Sequence, residues 1–193
     1  LAMASRPHFD LNTREGERRN IAVSDRYEPG STFKTVALSA ALEKRVVAPH
    51  TNIHCEWGRW ESGGLVVNDH HPYGDLTVEG VIMKSSNIGI YKIARMVGKN
   101  TFFEYMQKFG FGRRTGIDLT SESPGRIYPP QQWSRPSFAS MSRGYEVAVT
   151  PIQMATALGA IANGGKLMKP LLVKRISHGN GRLLEEFQPQ VLS

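Results

Sequence analysis

A serine and a lysine stand one helical turn apart at Ser31 and Lys34, directly after the turn signal Pro29-Gly30. The residues that follow predict a helix with an apolar stripe, with Ser31 in its first turn and Lys34 on the same face. A serine hydroxyl is a weak nucleophile at neutral pH and needs a base within hydrogen-bond reach. A lysine can be that base only if burial or a nearby cation lowers its pKa. The pair therefore fits nucleophilic catalysis, and it also fits an N-cap serine followed by a surface lysine.

A second polar group, Ser85 and Asn87, interrupts the apolar residues that predict a buried helix with a break over 77–97. Burying hydroxyls and an amide without partners costs free energy, so these side chains either satisfy one another or face a cleft. A serine here could relay a proton to a leaving group, and the asparagine could offer a donor and an acceptor to a substrate amide. Together with the first pair they would make an acyl-transfer site built on Ser–Lys in place of Ser–His–Asp.

The stretch 50–76 raises the alternative of a metal site, because it holds His54, Cys55, Asp69, His70 and His71. Their spacing fits no zinc pattern, and adjacent histidines would point in different directions. We therefore predict no bound metal. We interpret 50–76 as a long loop with one short strand at 65–67, and a loop of that length usually carries function.

The composition is that of a globular chain with excess positive charge. It has 193 residues, 40% hydrophobic and 21% charged, which is enough for one domain with a core. The net charge of +7 could favour nucleic acid, but lysine and arginine are scattered without interleaved aromatic residues, so we predict no nucleic-acid partner. The single cysteine excludes an internal disulfide. No apolar run of about 18 residues is present, so we predict no membrane span within this stretch.

Turn, cap and periodicity signals place the other elements around these residues. They predict an edge strand or loop over 1–10, the Ser31 helix ending near Lys44-Arg45, a helix over 101–109 capped by Asn100, loop over 110–137, a helix from Pro151 to about Asn163 with a Thr150–Gln153 capping box, a strand over 167–176, a hairpin turn over 177–181 and a return strand over 182–187.

Four stretches of the chain resemble one enzyme family in matching order. They are Tyr27–Lys34, Lys84–Gly89, Phe109–Leu119 and Val149–Ala155. Together they are similar to the transpeptidase domain of class B penicillin-binding proteins, the monofunctional enzymes of cell division, elongation and sporulation. The resemblance runs from about Leu1 to Phe187. It implies an α/β (α+β) fold of the β-lactamase/transpeptidase type, with an antiparallel sheet flanked by helices.

The resemblance also implies a role for each polar residue. Ser31 would be the nucleophile that forms an acyl-enzyme, and Lys34 would take its proton. Ser85 would pass a proton to the leaving group, and Asn87 would hold Lys34 and the substrate amide. The implied ligands are the D-Ala-D-Ala stem peptide of peptidoglycan and β-lactam antibiotics, with no metal or organic cofactor.

The same resemblance implies partners and a location. Cell-wall synthesis or divisome proteins would be the partners. The location would be the outer face of the bacterial cytoplasmic membrane, on the periplasmic side, with the membrane anchor outside this chain.

One expected motif, Lys-Thr/Ser-Gly, is missing from the chain. The nearest string, Arg114-Thr115-Gly116, belongs to the family's own loop before Ile117, so we reject it as a substitute. In the family the missing motif follows the hairpin that ends here near Phe187. We therefore expect 1–193 to be the N-terminal and central part of a single transpeptidase domain, incomplete at its C-terminus. A smaller departure is the segment Met141–Glu146, where the class often has a plainer glycine-rich run.

Two other functions remain open at this point. The first is a β-lactamase or β-lactam sensor of the same fold, which lacks support because no Glu-x-x-x-Asn stretch suggests a deacylating base. The second, suggested by the missing motif, is a non-catalytic scaffold or partner-binding fragment.

Overall fold

Helices and short strands alternate along the chain in the computed structural model, which describes residues 3–4, 6 and 9–193. The helices are α1 Ile21–Ser24, α2 Lys34–Glu43, α3 Val78–Met83, α4 Asn87–Val97, α5 Lys99–Lys108, α6 Arg135–Ser142 and α7 Pro151–Ala162. The strands are β1 Asn52–His54, β2 Arg59–Ser62, β3 Leu65–Asn68, β4 Asp75–Thr77, β5 Arg175–Ser177 and β6 Leu183–Glu186. Short 3-10 turns cover Gly30–Phe33, Glu56–Gly58 and Pro130–Gln132. The edge strand or loop predicted over 1–10 lies partly outside the described residues.

The strands pair as antiparallel ribbons. Among the residues that the structure describes, β1 pairs with β4, β2 with β3 and β5 with β6. Arg59 lies opposite Asn68 in the second ribbon, and Asn52 lies opposite Thr77 in the first. The prediction of a long loop over 50–76 was therefore wrong, although its short strand at 65–67 is part of β3. Strands of three or four residues are too short for an alternating pattern to stand out in the sequence.

The chain divides into two compact units, of which the first carries the polar groups identified above. It comprises Glu28–Gln107 and Ile127–Ala148. Helix α2 packs on α4, and the residues that α2 buries include three alanines, Ala37, Ala40 and Ala41. Aromatic rings fill the rest of this core: Phe102 makes edge-to-face contact with Phe33 and Trp133.

The second unit comprises the described residues up to Tyr27, Lys108–Arg126 and Val149–Ser193. Helix α7 begins with the predicted capping box, in which Thr150 and Gln153 bind each other's backbone N–H. The Glu122 carboxylate is buried and accepts hydrogen bonds from Thr115 N, Thr115 Oγ1 and Gly116 N, which closes the loop over 115–122. The turn at 177–181 and the return strand β6 are confirmed, while both strands of this hairpin are exposed.

Three further boundaries differ from the sequence expectations. The helix predicted over 101–109 begins at Lys99, so Asn100 lies inside it and is not its cap. The region predicted as loop over 110–137 contains the start of α6, which Ser134 caps by accepting a hydrogen bond from Ser137 N. The strand predicted over 167–176 is divided in two: Met168 forms an isolated antiparallel bridge with Val191, and β5 begins only at Arg175. Pro170, which has no N–H to offer a neighbouring strand, lies between them. None of the described helices is long and apolar enough to cross a bilayer.

Candidate active site

Ser31 lies in the 3-10 turn that leads into α2, and not in the first turn of the α-helix as predicted. The turn forms because Gly30 adopts a left-handed φ of +57° and the Thr32 hydroxyl donates to Pro29 O at 2.8 Å. Ser31 is exposed, and its hydroxyl makes no hydrogen bond with any described residue. A turn of this kind leaves the hydroxyl accessible from solvent, one turn before Lys34.

Lys34 is the first residue of α2 and its side chain is almost completely buried, with 1% exposed. Its Nζ donates three hydrogen bonds, to Ser85 O at 2.6 Å, Ser85 Oγ at 2.9 Å and Asn87 Oδ1 at 2.8 Å. These acceptors account for every proton that a lysine ammonium can donate. The structure thus brings Lys34 together with Ser85 and Asn87.

Ser85 and Asn87 form the corner between α3 and α4. Ser85 has a left-handed φ of +55°, a conformation that costs a non-glycine residue about 1–2 kcal/mol. That conformation ends α3 and turns the Ser85 carbonyl and hydroxyl toward Lys34. The Asn87 amide is held at both ends, since Oδ1 accepts from Lys34 and Nδ2 donates to Asn68 O at 2.9 Å. The strained residue, Ser85, thus lies where the end of α3 and the start of α4 present their polar groups to the Lys34 amine.

The electrostatic setting of Lys34 makes its amine easier to deprotonate than that of an ordinary lysine. Burial lowers the pKa of Lys34 from its usual value to about 8. The Asp69 carboxylate opposes this shift in the pKa, and the positive charge of Arg143 adds to it. An amine with a pKa near 8 is uncharged in an appreciable fraction of molecules near neutral pH, so it can accept a proton.

Asp69 supports the corner from the loop after β3, a role that the sequence did not reveal. Its carboxylate accepts hydrogen bonds from Ser86 Oγ at 2.6 Å, from Asn87 N, and from Ile88 N at 3.0 Å. The Ser86 hydroxyl in turn accepts from Gly89 N at 2.8 Å and caps α4. These contacts satisfy the first three N–H groups of the helix. The sequence indicated only that the first N–H groups of this helix need acceptors. No local pattern shows that the acceptor is a residue 17 positions upstream.

Gly144 supports the other side of the site by packing on the turn before Ser31. Gly30 N donates to Gly144 O at 3.0 Å, and Glu146 N donates to Glu28 Oε1 at 2.8 Å. Gly144 is buried with a φ of +84°, and a Cβ at this position would lie 2.1 Å from Gly30 O. Only glycine fits here, because the neighbouring group is backbone that cannot rotate away. The segment Met141–Glu146, from which the sequence supported no inference, therefore holds the serine turn.

We expect Gly144→Ala to lower the free energy of unfolding by about 3 kcal/mol, combining overpacking with left-handed strain. The control is Gly164→Ala, which shares a positive φ of +65° but has open space around its Cβ position. It should lose only about 1 kcal/mol. Urea unfolding of the two variants checks this, and equal losses would contradict the close contact with Gly30.

The residues that could have formed a metal site instead make contacts with other side chains or are exposed. His54 Nδ1 lies 2.7 Å from Asp75 Oδ1 on the β1–β4 ribbon. His70 and His71 are exposed, and Cys55 is a buried free thiol whose sulfur lies 3.4 Å from Ser86 Oγ. No group of three or more metal-binding side chains occurs in the part of the chain that the structure describes. Asp69, the one acidic member of that set, instead binds α4.

The arrangement is suited to acyl transfer. An accessible serine hydroxyl precedes a buried amine of lowered pKa, and that amine is bonded to a second hydroxyl and to an amide. A hydroxyl, a base and a relay hydroxyl are the groups that form and break an ester at serine. Hydrogen bonds between nucleophile and base are often absent until substrate binds, so the exposed Ser31 hydroxyl is compatible with this chemistry.

Comparison with known proteins identifies relatives over the whole chain. The family model described as the penicillin binding protein transpeptidase domain matches residues 1–193. The chain is 36% identical to penicillin-binding protein PbpB of Mycobacterium tuberculosis, over 98% of this chain and 29% of the relative. It is 32% identical to peptidoglycan D,D-transpeptidase FtsI of Escherichia coli, over 91% of this chain and 30% of the relative. The chain thus spans under a third of the length of these curated relatives.

Solved structures agree with the fold. Penicillin binding protein 3 of Mycobacterium tuberculosis superposes with a TM-score of 0.84 and 34% identity, covering 95% of this chain and 42% of that one. That protein has also been solved in complex with aztreonam and with ampicillin. The predicted fold class, mixed helices and antiparallel strands of the transpeptidase type, is confirmed.

Proposed function

Because this chain belongs to the penicillin-binding protein transpeptidase family, we propose that the intact protein is a peptidoglycan D,D-transpeptidase that works through an acyl-enzyme on Ser31. The observation that carries the proposal is the buried Lys34 amine, bonded to Ser85 and Asn87 one turn after an accessible serine. The name of one relative, peptidoglycan D,D-transpeptidase FtsI, supports the reaction type.

In the proposed acylation step, Ser31 Oγ attacks the carbonyl carbon between the two terminal D-alanines of a stem peptide. The neutral Lys34 amine takes the hydroxyl proton as the new C–O bond forms. Ser85, bonded to that amine at 2.9 Å, passes a proton to the leaving nitrogen, and the terminal D-alanine departs as the amine. Asn87 holds Lys34 through Oδ1 and offers its remaining amide proton to the substrate.

In the proposed second step, the amine of a neighbouring stem peptide attacks the ester carbonyl of the acyl-enzyme. Ser85 and Lys34 accept the proton that this amine loses and return one to Ser31 Oγ as the ester bond breaks. The product is a new peptide bond between two stem peptides, and the enzyme regains its starting protonation state.

The proposed ligands and setting follow from the family. β-Lactams resemble the D-Ala-D-Ala terminus and would acylate Ser31, in line with the aztreonam and ampicillin complexes of the mycobacterial relative. We infer that the protein works on the outer face of the bacterial cytoplasmic membrane, where its substrate is found. Cell-wall synthesis or divisome proteins would be its partners.

Mass spectrometry tests the proposed function directly. The intact protein is incubated with penicillin, digested, and searched for a peptide carrying the added mass. We expect the adduct on the peptide that contains Ser31. An intact, folded protein without an adduct would remove the transpeptidase proposal and favour a non-catalytic scaffold. Rapid turnover of nitrocefin would instead indicate a β-lactamase, whereas a persistent adduct fits a transpeptidase or a sensor.

The pH dependence of acylation follows from the lowered pKa of Lys34. The base must be neutral, so the rate should be highest above the pKa and fall as pH decreases through about 8. Stopped-flow acylation by penicillin across this range measures the midpoint. A rate that stays constant through pH 8, with the protein folded throughout, would contradict Lys34 as the base.

A further inference from the structure

Asp69 binds three groups in and directly after the Ser85–Asn87 corner. The Ser86 hydroxyl donates to one carboxylate oxygen at 2.6 Å, and the backbone N–H groups of Asn87 and Ile88 donate to the other. Asp69 N itself donates to Gly58 O at 3.0 Å. The carboxylate is therefore fixed by its own backbone on one side and by helix α4 on the other.

The same corner holds the Lys34 amine. Asn87 is both the residue whose N–H binds Asp69 and the residue whose Oδ1 accepts from Lys34. Ser85 presents its carbonyl and hydroxyl from a left-handed conformation that local sequence does not favour. A strained residue keeps its conformation only when its surroundings fix it, and Asp69 accepts hydrogen bonds from the three residues that directly follow Ser85.

We propose that Asp69 is a positioning residue for acylation, which holds Ser86 and the first amides of α4 so that Ser85 and Asn87 remain on Lys34. The inference rests on the transpeptidase function proposed above and assigns a role to a residue outside its motifs. Asp69 touches neither the nucleophile nor the base through a hydrogen bond, so it acts through the corner.

The charge of Asp69 has a second effect, on the pKa of Lys34, which can be measured separately from positioning. Two charged groups act on the Lys34 amine from the elements around it, Asp69 from the loop after β3 and Arg143 from the segment after α6. The negative charge of Asp69 raises the pKa of Lys34, and the positive charge of Arg143 lowers it. Removing the Asp69 charge and removing the Arg143 charge should therefore shift the pH at which acylation slows, in opposite directions.

The experiment measures penicillin acylation of the intact protein against pH in Asp69→Asn. The rate at high pH reports the positioning of the corner, and the midpoint of the acid limb reports the charge. We expect the limiting rate to fall about 10- to 100-fold, because small misplacements of catalytic groups cost factors of this size. We expect the midpoint to move to lower pH, since the charge that favours the ammonium form is gone. Arg143→Gln should move the midpoint to higher pH.

Three variants separate this role from a loss of stability alone. Glu122→Gln alters a buried carboxylate that also accepts three hydrogen bonds, in the unit that lacks the candidate site, and should leave rate and midpoint unchanged. Ser86→Ala removes one Asp69 contact but keeps the charge, so its limiting rate should fall while its midpoint stays. Ser134→Ala, which removes the cap of α6, controls for the loss of a helix cap.

The outcomes are distinct. A limiting rate within twofold of the unsubstituted protein in Asp69→Asn, or an unmoved midpoint, would overturn the proposal. If Asp69→Asn does not fold, an unchanged limiting rate in Ser86→Ala would overturn it. Absence of any adduct in the unsubstituted protein would instead defeat the transpeptidase proposal, and this inference with it.

Discussion

Replacing Ser31 with alanine is expected to abolish the covalent penicillin adduct. The substitution removes the only atom proposed to bond to the carbonyl carbon, so acylation should fall below detection, a loss of at least about 10⁴-fold. Stability should change by less than about 0.5 kcal/mol, because Ser31 is exposed and its hydroxyl makes no hydrogen bond with the described residues. Intact-protein mass spectrometry after incubation with penicillin measures the adduct.

The matched control is Ser39→Ala, which changes a half-buried serine in the helix α2 that follows the Ser31 turn. It should acylate at the rate of the unsubstituted protein. An adduct that persists in Ser31→Ala would show that another residue is the nucleophile, and peptide mapping would identify it.

Lys34→Met is expected to slow acylation by about 10³- to 10⁴-fold, the upper range for the loss of a general base. Methionine keeps much of the side-chain volume but cannot accept a proton. It also leaves Ser85 and Asn87 without their shared donor, which costs about 1–3 kcal/mol of stability per unsatisfied group. The second-order rate of penicillin acylation, measured at the high-pH plateau, checks the prediction.

Lys34→Arg distinguishes the base from a merely structural cation. Arginine donates hydrogen bonds to the same acceptors, but it stays charged at all accessible pH values and cannot take the serine proton. We expect a loss close to that of the methionine variant. The exposed neighbour Lys84→Met serves as the control and should react normally. An arginine variant that acylates within tenfold of the unsubstituted protein would refute the assignment of Lys34 as base.

Sequence reasoning singled out the candidate groups because each pair belongs to a local motif. Ser31 and Lys34 are one turn apart, and Ser85 and Asn87 interrupt an apolar helix, so their chemistry could be interpreted without a fold. The capping box at Thr150 and the hairpin at Asn180-Gly181 were predictable for the same reason. In each case the partners lie within a few positions of one another.

The missed features depend on contacts between distant parts of the chain. Asp69 appeared as a possible metal ligand, because nothing in its own neighbourhood indicates that its partners begin at Ser86. Gly144 is 114 positions from Gly30, and only the assembled fold brings the two backbones together. The ribbons between residues 52 and 77 escaped detection because each strand gains its stability from pairing and packing, and not from intrinsic preference.

The three bonds of the Lys34 nitrogen have a consequence for the direction of proton flow. An ammonium group has three N–H donors and meets three oxygens here, but a neutral amine has two donors and one lone pair. On deprotonation one of these contacts must either break, which frees the lone pair to take the Ser31 proton, or reverse its polarity. The Ser85 carbonyl and the Asn87 amide oxygen have no hydrogen to give, so only the Ser85 hydroxyl can turn and donate into the lone pair. Among the three groups bonded to the Lys34 nitrogen, the Ser85 hydroxyl is therefore the one that can pass a proton to or from it.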